Sequence, residues 1–201
     1  PSMTINENWS GHAQIDYDIQ KDNTGADVNG AEVAKIWTEG QYDKFNVKLG
    51  RFGSFSDASH GLVFDTEVTG AEFTYAPTEA WKVKATAGRT SVLTKKDDNG
   101  KVINKALVYG TKDEDAATYW AVEANYANGK WDAGLGYHNV LATHTYQKTA
   151  EDNSSYHIID LGVGYAFDKN VKLTGDYAWG VSQNKYDNAA NSAYSIQLNY
   201  K

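Results

Sequence analysis

Charged side chains recur at every second position in several segments of this 201-residue chain. In residues 81–87, for example, Lys82 and Lys84 alternate with the apolar Val83 and Ala85. A wall that carries both signs of charge around water would create a transverse field and an ion preference. We therefore predict a charged lining made of Lys35, Lys48, Arg51, Glu72, Lys82, Lys84, Arg89, Glu123, Asp132, Asp160, Lys172 and Asp176. The alternative is that these charges form a salt-bridged plug that closes a narrow lumen.

Two Gly-Arg pairs, Gly50-Arg51 and Gly88-Arg89, lie at the ends of such alternating segments. By simple alternation, both arginines share the parity of the apolar side chains. A β-bulge at the preceding glycine would re-aim each side chain, because a bulge inserts an extra residue into the strand. We expect Arg51 and Arg89 either to join the charged side or to extend to the boundary above the apolar zone.

The five histidines of the chain are scattered, and only a few of them come near an acidic residue. Asp160 with His138, His144 or His157 could form the rim site of a hydrolase. Solvated, unrelated histidines are the simpler interpretation, and we favour it. The sequence also has no phosphate-binding glycine loop, no His-Glu-x-x-His motif and no serine elbow. We therefore expect no catalytic residue, no cofactor and no metal site.

The elements that must carry these side chains are β-strands, because the alternation has a period of two almost everywhere. In one of the clearest segments, Ile159, Leu161 and Val163 oppose Asp160 and Gly162. Helical periodicity is nearly absent. About ten antiparallel strands are predicted, in segments 9–19, 34–42, 45–49, 70–75, 81–87, 119–126, 131–138, 159–167, 171–181 and 194–200.

The predicted connections alternate in length. Four are short turns, at 43–44, 77–80, 128–130 and 168–170. Five are long and polar, near 21–33, 54–67, 94–116, 143–155 and 183–191, and part of the third, 102–109, could form a strand or fold into a lumen. Short turns at one end and long loops at the other are typical of an up-and-down outer-membrane barrel with periplasmic turns and extracellular loops. A soluble β-sandwich is the alternative fold.

Composition is consistent with a barrel that crosses a membrane with strands. There are 18 glycines, 2 prolines and no cysteines, and 13% of the residues are aromatic. Mean hydropathy is low, at −0.61, but only every second residue of a barrel strand faces lipid. The net charge of −7 argues against nucleic acid as a partner. Aromatic residues of the apolar parity near the short turns predict an interfacial belt of Trp9, Tyr75, Trp81, Tyr126, Trp131, Tyr165, Phe167 and Tyr200.

The stretch that begins Leu49-Gly-Arg-Phe-Gly-Ser-Phe-Ser-Asp and the stretch from Gly61 to Phe73 resemble a known barrel family. Lys84-Ala-Thr-Ala-Gly-Arg and the closing Tyr194-Ser-Ile-Gln-Leu-Asn-Tyr-Lys are similar to it too. That family is the major outer-membrane porins with an N-terminal S-layer-homology domain. The domain itself is absent here, so tethering to the cell wall is not expected of this chain.

The resemblance implies a homotrimeric channel in the lipid of the bacterial outer membrane, open to passive diffusion of small hydrophilic solutes or ions. The family barrel has roughly sixteen strands. Residues 1–201 are therefore expected to be one barrel domain, either of a smaller relative or as a piece of a larger barrel. A non-conducting barrel for adhesion or membrane anchoring remains the alternative function, because a narrow lumen can be filled by side chains.

Overall fold

A computed structural model describes residues 1–21, 27–63, 65–90, 118–142, 154–183 and 188–200. His144 and the segment 102–109 lie outside these described residues. No helix in the described part of the chain is long and apolar enough to cross a membrane.

The described residues form one antiparallel sheet in which every strand pairs with its neighbour in sequence. Its strands are β1 (Ser2–Thr4), β2 (Trp9–Lys21), β3 (Asp27–Tyr42), β4 (Phe45–Phe55), β5 (Asp65–Tyr75), β6 (Trp81–Thr90), β7 (Thr118–Asn128), β8 (Trp131–Ala142), β9 (Ser154–Ala166), β10 (Val171–Gln183) and β11 (Asn188–Tyr200). A short 3-10 helix, Asp57–Ser59, lies between β4 and β5.

All ten predicted segments are strands, and several are longer than the sequence indicates. The predicted loop 21–33 is mostly strand, because β3 begins at Asp27. The pairing of β2 with β3 continues there beyond a register shift between Gln14 and Ile15. The short β1, which pairs with β2 at Ser10 to His12, was not predicted. The four short turns are confirmed.

The outward parity of the wall is apolar and exposed. Leu135 and Leu161 face each other across the β8–β9 ladder and expose 56% and 47% of their surface. Asp160, the neighbour of Leu161, is fully buried on the other side of the sheet. Exposed apolar rows suit lipid rather than water. The predicted outward residues Trp120, Leu135, Leu161, Val163 and Leu198 are all exposed, which favours the membrane barrel over a soluble sandwich.

Aromatic pairs gather on the outer face at the short-turn end. Trp131 packs on Tyr165 with ring centroids 4.6 Å apart, and Trp81 packs on Tyr126 at 5.0 Å. Trp9 donates a 2.8 Å hydrogen bond from its indole nitrogen to the hydroxyl of Tyr42. Amphipathic rings of this kind are favoured where lipid meets water. The predicted belt therefore matches the observed aromatic contacts at this end.

Residues 51–69 are called the lumen hairpin. Arg51, Val68 and Thr69 still pair with the wall, and the described residues between them fold inward. Gly50, Gly70 and Gly88 are in register on β4, β5 and β6, at the point where the hairpin departs. A Cβ on Gly50 would lie 2.5 Å from the carbonyl oxygen of Ile36, and φ of Gly50 is +126°. Close backbone approach at this row of glycines lets the two strands bend. The prediction of an outer loop at 54–67 is therefore wrong, because the described residues of this segment lie inside the barrel.

The strand order begins at β1 and finishes at β11, and the described residues show no ladder between these two strands. Outward side chains of β11 are more exposed than those of strands that have a neighbouring strand on both sides. Tyr194 exposes 80% of its surface and Ile196 exposes 78%. Their exposure is higher because only one side of β11 has a neighbouring strand, β10.

Candidate functional site: the charged lumen

The tip of the lumen hairpin consists of Asp57, Ala58, Ser59 and His60, and it rests on the inner face of β7 to β10. The backbone nitrogen of Ala58 donates a 3.0 Å hydrogen bond to Glu123 on β7. Ala58 also packs against the wall where Gly134 and Gly162 carry no side chain. Small residues on both sides therefore allow the tip to lie directly on the wall.

A fully buried chain of polar groups holds Ser59. Its hydroxyl donates to Asp160 on β9, and the other oxygen of Asp160 lies 3.0 Å from Nε2 of His138. Nδ1 of His138 lies 2.8 Å from the hydroxyl of Tyr119. Each of these polar groups has a partner, so burial costs less than it would for isolated groups.

His60 lies between two carboxylates of the wall. Its Nδ1 is 2.6 Å from Asp176 on β10, and its Nε2 is 2.8 Å from Asp132 on β8. Lys172 contacts the second oxygen of Asp132 at 2.8 Å, and Ser195 donates to Asp176. His60 has a left-handed backbone conformation, with φ of +48°, and this directs the chain back from the tip toward β5.

Asp57 anchors the tip to β6. Its Oδ2 lies 2.7 Å from Nζ of Lys82 and 3.3 Å from Nζ of Lys84, and Lys84 also pairs with Glu123 at 3.1 Å. Burial opposes ionisation of Asp57, but the hydrogen bond from Lys82 and the charge of Lys84 outweigh it, so the pKa of this carboxyl lies below its usual value.

Apolar contacts support the hairpin nearer to its bend. Phe52 and Val68 face each other across the hairpin and are buried against Tyr119 and Ala121 on β7. Trp37 and Val140 pack around this group. The lumen hairpin is therefore fixed on one side by a small apolar core and by the polar contacts of its tip.

The other side of the hairpin carries charges that remain partly accessible. Nη2 of Arg51 lies 2.7 Å from Glu67 across the hairpin, and Nζ of Lys35 on β3 lies 4.0 Å from the same carboxylate. Arg51 is half-buried, with 39% of its side chain exposed. Below the bend, Lys48 pairs with the buried Glu72 at 3.0 Å. Charges of both signs therefore surround the space beside the hairpin.

The predicted lining residues occupy the lumen side with one exception. Those that contact the hairpin tip, Glu67 of the hairpin or each other are Lys35, Lys48, Arg51, Glu72, Lys82, Lys84, Glu123, Asp132, Asp160, Lys172 and Asp176. Arg89 shares the outward parity of Val83 and Ala87 and is exposed. The prediction that Arg89 lines the charged side is therefore wrong, and its extension to the boundary above the apolar zone stays a prediction. No bulge at Gly88 turns it inward, because the β5–β6 register is regular there.

Sequence reasoning missed the residues that the hairpin contributes. Asp57, Ser59, His60 and Glu67 fall in a segment that resembles an exposed polar loop. The one available signal was the placement of Gly50 and Gly70 on either side of that segment, since paired glycines can mark a bend.

The contacts of the histidines do not resemble a hydrolytic site. Both ring nitrogens of His138 are engaged, by Tyr119 and Asp160, and the ring is fully buried, so a substrate has no access to it. Ser59 contacts the carboxylate rather than the imidazole. His157 belongs to a separate set of contacts, in which its ring nitrogens lie within hydrogen-bond distance of Tyr137 and Ser155. The third candidate, His144, falls outside the described residues.

A cavity of about 500 Å³, which we call the lower chamber, lies between the hairpin tip and the short-turn end of the wall. Its lining includes Phe55, Asp57, His60, Lys82, Asn125 and Lys172. Asp57, His60, Lys82 and Lys172 also belong to the contacts that hold the tip, so the chamber directly adjoins the tip.

No family model and no curated protein matches the chain. Among solved structures, OmpT, an outer-membrane protein of Vibrio cholerae, aligns with a TM-score of 0.53 and 12% identity over 100% of this chain and 72% of that one. A loop L8 deletion mutant of OmpT aligns with a TM-score of 0.54 and 12% identity, over 98% of this chain and 76% of that one. The monoaromatic hydrocarbon channel CymD aligns with a TM-score of only 0.48 and 12% identity, over 98% of this chain and 69% of that one. The likeness shows the fold, an outer-membrane β-barrel.

Proposed function

We propose that this chain forms an outer-membrane channel for passive diffusion of small hydrophilic solutes or ions. The observation that carries the proposal is the one-sided attachment of the lumen hairpin. Its tip is held on β7 to β10, whereas Arg51 and Glu67 face a space lined by further charges. A segment that narrows a polar lumen without occupying its whole cross-section would set the size and charge of the solutes that pass.

A specific observation also favours the second candidate, a non-conducting barrel for adhesion or anchoring. Ser56, Ala58 and Ser59 are almost completely buried, so the tip is tightly packed on the wall beside it. If the remaining space were also filled, the hairpin would act as a plug. The two candidates differ in one measurable property, the conductance of the intact protein.

Planar-bilayer recording of the refolded chain tests the channel. We expect discrete conductance steps from the wild type, and larger steps when residues 56–62 are replaced by a short glycine linker, because the lumen then widens. Lys130→Gln, at a short turn outside the lumen, is the control and should conduct as the wild type does. If only the linker variant conducts, the result would support the plug. If neither protein conducts, the result would contradict the proposed channel.

The sequence resemblance supports two finer proposals. We propose that the chain is related to the porins that carry an S-layer-homology domain, and that the protein assembles as a homotrimer in outer-membrane lipid. The lipid-facing rows around Leu135 and Leu161 leave a broad apolar surface on which copies could meet within the bilayer. We further propose that the chain has no enzymatic activity, which the inaccessible His138 supports.

A further inference from the structure

We propose that the lower chamber is a binding site for small carboxylates that enter the lumen. This inference rests on the proposed function, because it names a solute class for the same lumen.

Two lysines supply most of the donors. Nζ of Lys82 contacts Asp57 at 2.7 Å with 44% of the side chain exposed, and Nζ of Lys172 contacts Asp132 at 2.8 Å with 37% exposed. An ammonium group carries three N–H donors. Each lysine engages one carboxylate among the described residues, so each can donate further hydrogen bonds into the chamber.

A third donor comes from Asn125 on β7. Its Nδ2 is buried and has no hydrogen-bond partner among the described residues. In the ladders, Asn125 is the direct neighbour of Lys82 on β6 and of Gly134 on β8. A buried donor without a partner is unfavourable, because it has lost its hydrogen bond to water. Asn125 lines the chamber, and rotation of its side chain would bring this donor to an acceptor atom of a solute beside Lys82.

Each of the two aspartates that line the chamber already contacts a lysine of the protein. Asp57 contacts both Lys82 and Lys84, and Asp132 contacts both Lys172 and His60. Glu79, at the mouth, is exposed to water, which screens its charge. Lys82 and Lys172 therefore keep spare N–H donors in the chamber. A carboxylate accepts several hydrogen bonds at once and carries the charge that the two lysines attract.

The size of the chamber limits the ligand to a small one. A volume of about 500 Å³ lies within the range of sites that hold small molecules. Succinate is a suitable probe, and its uncharged diamide, succinamide, has nearly the same shape.

Calorimetric titration of the refolded full chain in detergent micelles tests the proposal. We expect succinate to bind, succinamide to bind much more weakly, and added salt to weaken succinate, because the chamber is open to water. Lys82→Gln and Lys172→Gln should each weaken succinate binding about tenfold, the effect of losing one charge-assisted hydrogen bond. Asn125→Asp replaces the donor by a negative charge at the same size and should abolish binding.

Lys44→Gln is the matched control, because Lys44 donates to Pro77 at a short turn outside the chamber. It should bind succinate as the wild type does. Heat-modified mobility in electrophoresis establishes that each variant is folded. Absence of binding to the wild type, equal binding of the diamide, or an equal loss in Lys44→Gln would overturn the proposal. Conductance without succinate binding would contradict only the carboxylate site. Succinate binding without conductance would contradict the proposed channel.

Discussion

At the scale of single residues, the bend of the lumen hairpin depends on the missing side chain of Gly70. A Cβ there would lie 2.6 Å from Cα of Gly88 and closer still to the backbone of Ala87. Backbone atoms cannot move aside as a flexible side chain can. We predict that Gly70→Ala lowers the free energy of unfolding by about 1–3 kcal/mol, as overpacking usually does, measured by urea titration in detergent or vesicles.

Gly175→Ala on β10 provides the control for this substitution. Gly175 also lies within a long strand, but no atom of the described residues comes within 4 Å of the position that its Cβ would occupy. The alanine should therefore be neutral or slightly stabilising, because it restricts the unfolded chain. Equal losses in the two variants would mean that glycine matters for strand propensity in general and not for the bend.

At the scale of the hairpin, Asp57 should make stability depend on pH. The pKa of this carboxyl is lowered in the folded protein from an ordinary value of 3.8. A lowered pKa contributes stability above pH 3.8, and that contribution is lost as the pH falls through the folded pKa. We predict that wild type exceeds Asp57→Asn in unfolding free energy at neutral pH, and that the difference disappears well below pH 3.8.

Other ionisable side chains surround the tip, namely Asp132, Asp160, Asp176, Glu123 and His60. They are present in both proteins, so the difference between wild type and Asp57→Asn isolates one carboxyl to first approximation. A difference that increased on acidification would contradict the assignment of Asp57 as an ionised anchor.

The strands were predictable because their information is local, and the hairpin was not because its information is distant. Alternation along Ile159 to Val163 is sufficient to assign the two faces of β9. The position of Ser59 depends instead on Asp160, 101 residues away in sequence. Segment 54–67 has the polar composition of an outer loop, and composition cannot distinguish water outside a barrel from polar groups within it.

At the scale of the whole molecule, the apolar outer rows should make stability depend on lipid. Leu161 lies near the middle of β9, exposed on the outer face, with Tyr177 and Leu135 as its ladder neighbours. We predict that Leu161→Arg costs about 2–4 kcal/mol in vesicles, as expected for a charge near the bilayer midplane. Urea-dependent refolding into vesicles measures this, with Leu161→Ile as a control that should change little.

If Leu161→Arg lowered the free energy of unfolding as little as Leu161→Ile does, the outer residues around Leu161 would face water rather than lipid. The outward direction of such rows could be predicted from sequence, because a period of two fixes the face once any residue is placed. The lumen charges were predicted by the same parity. Their actual partners, Asp57, His60 and Glu67, could not be, since they come from a hairpin that leaves the strand pattern.

The contacts of the hairpin tip have a consequence for the order of assembly. His60 contacts Asp176, 116 residues later in the chain, and Ser59 contacts Asp160. Until β9 and β10 have joined the sheet, the tip has no partner for these polar groups and remains hydrated. We therefore expect Ser59 and His60 to dock only after β9 and β10 have paired, so that the buried chain from Ser59 to Tyr119 closes on a wall whose late strands are already in register.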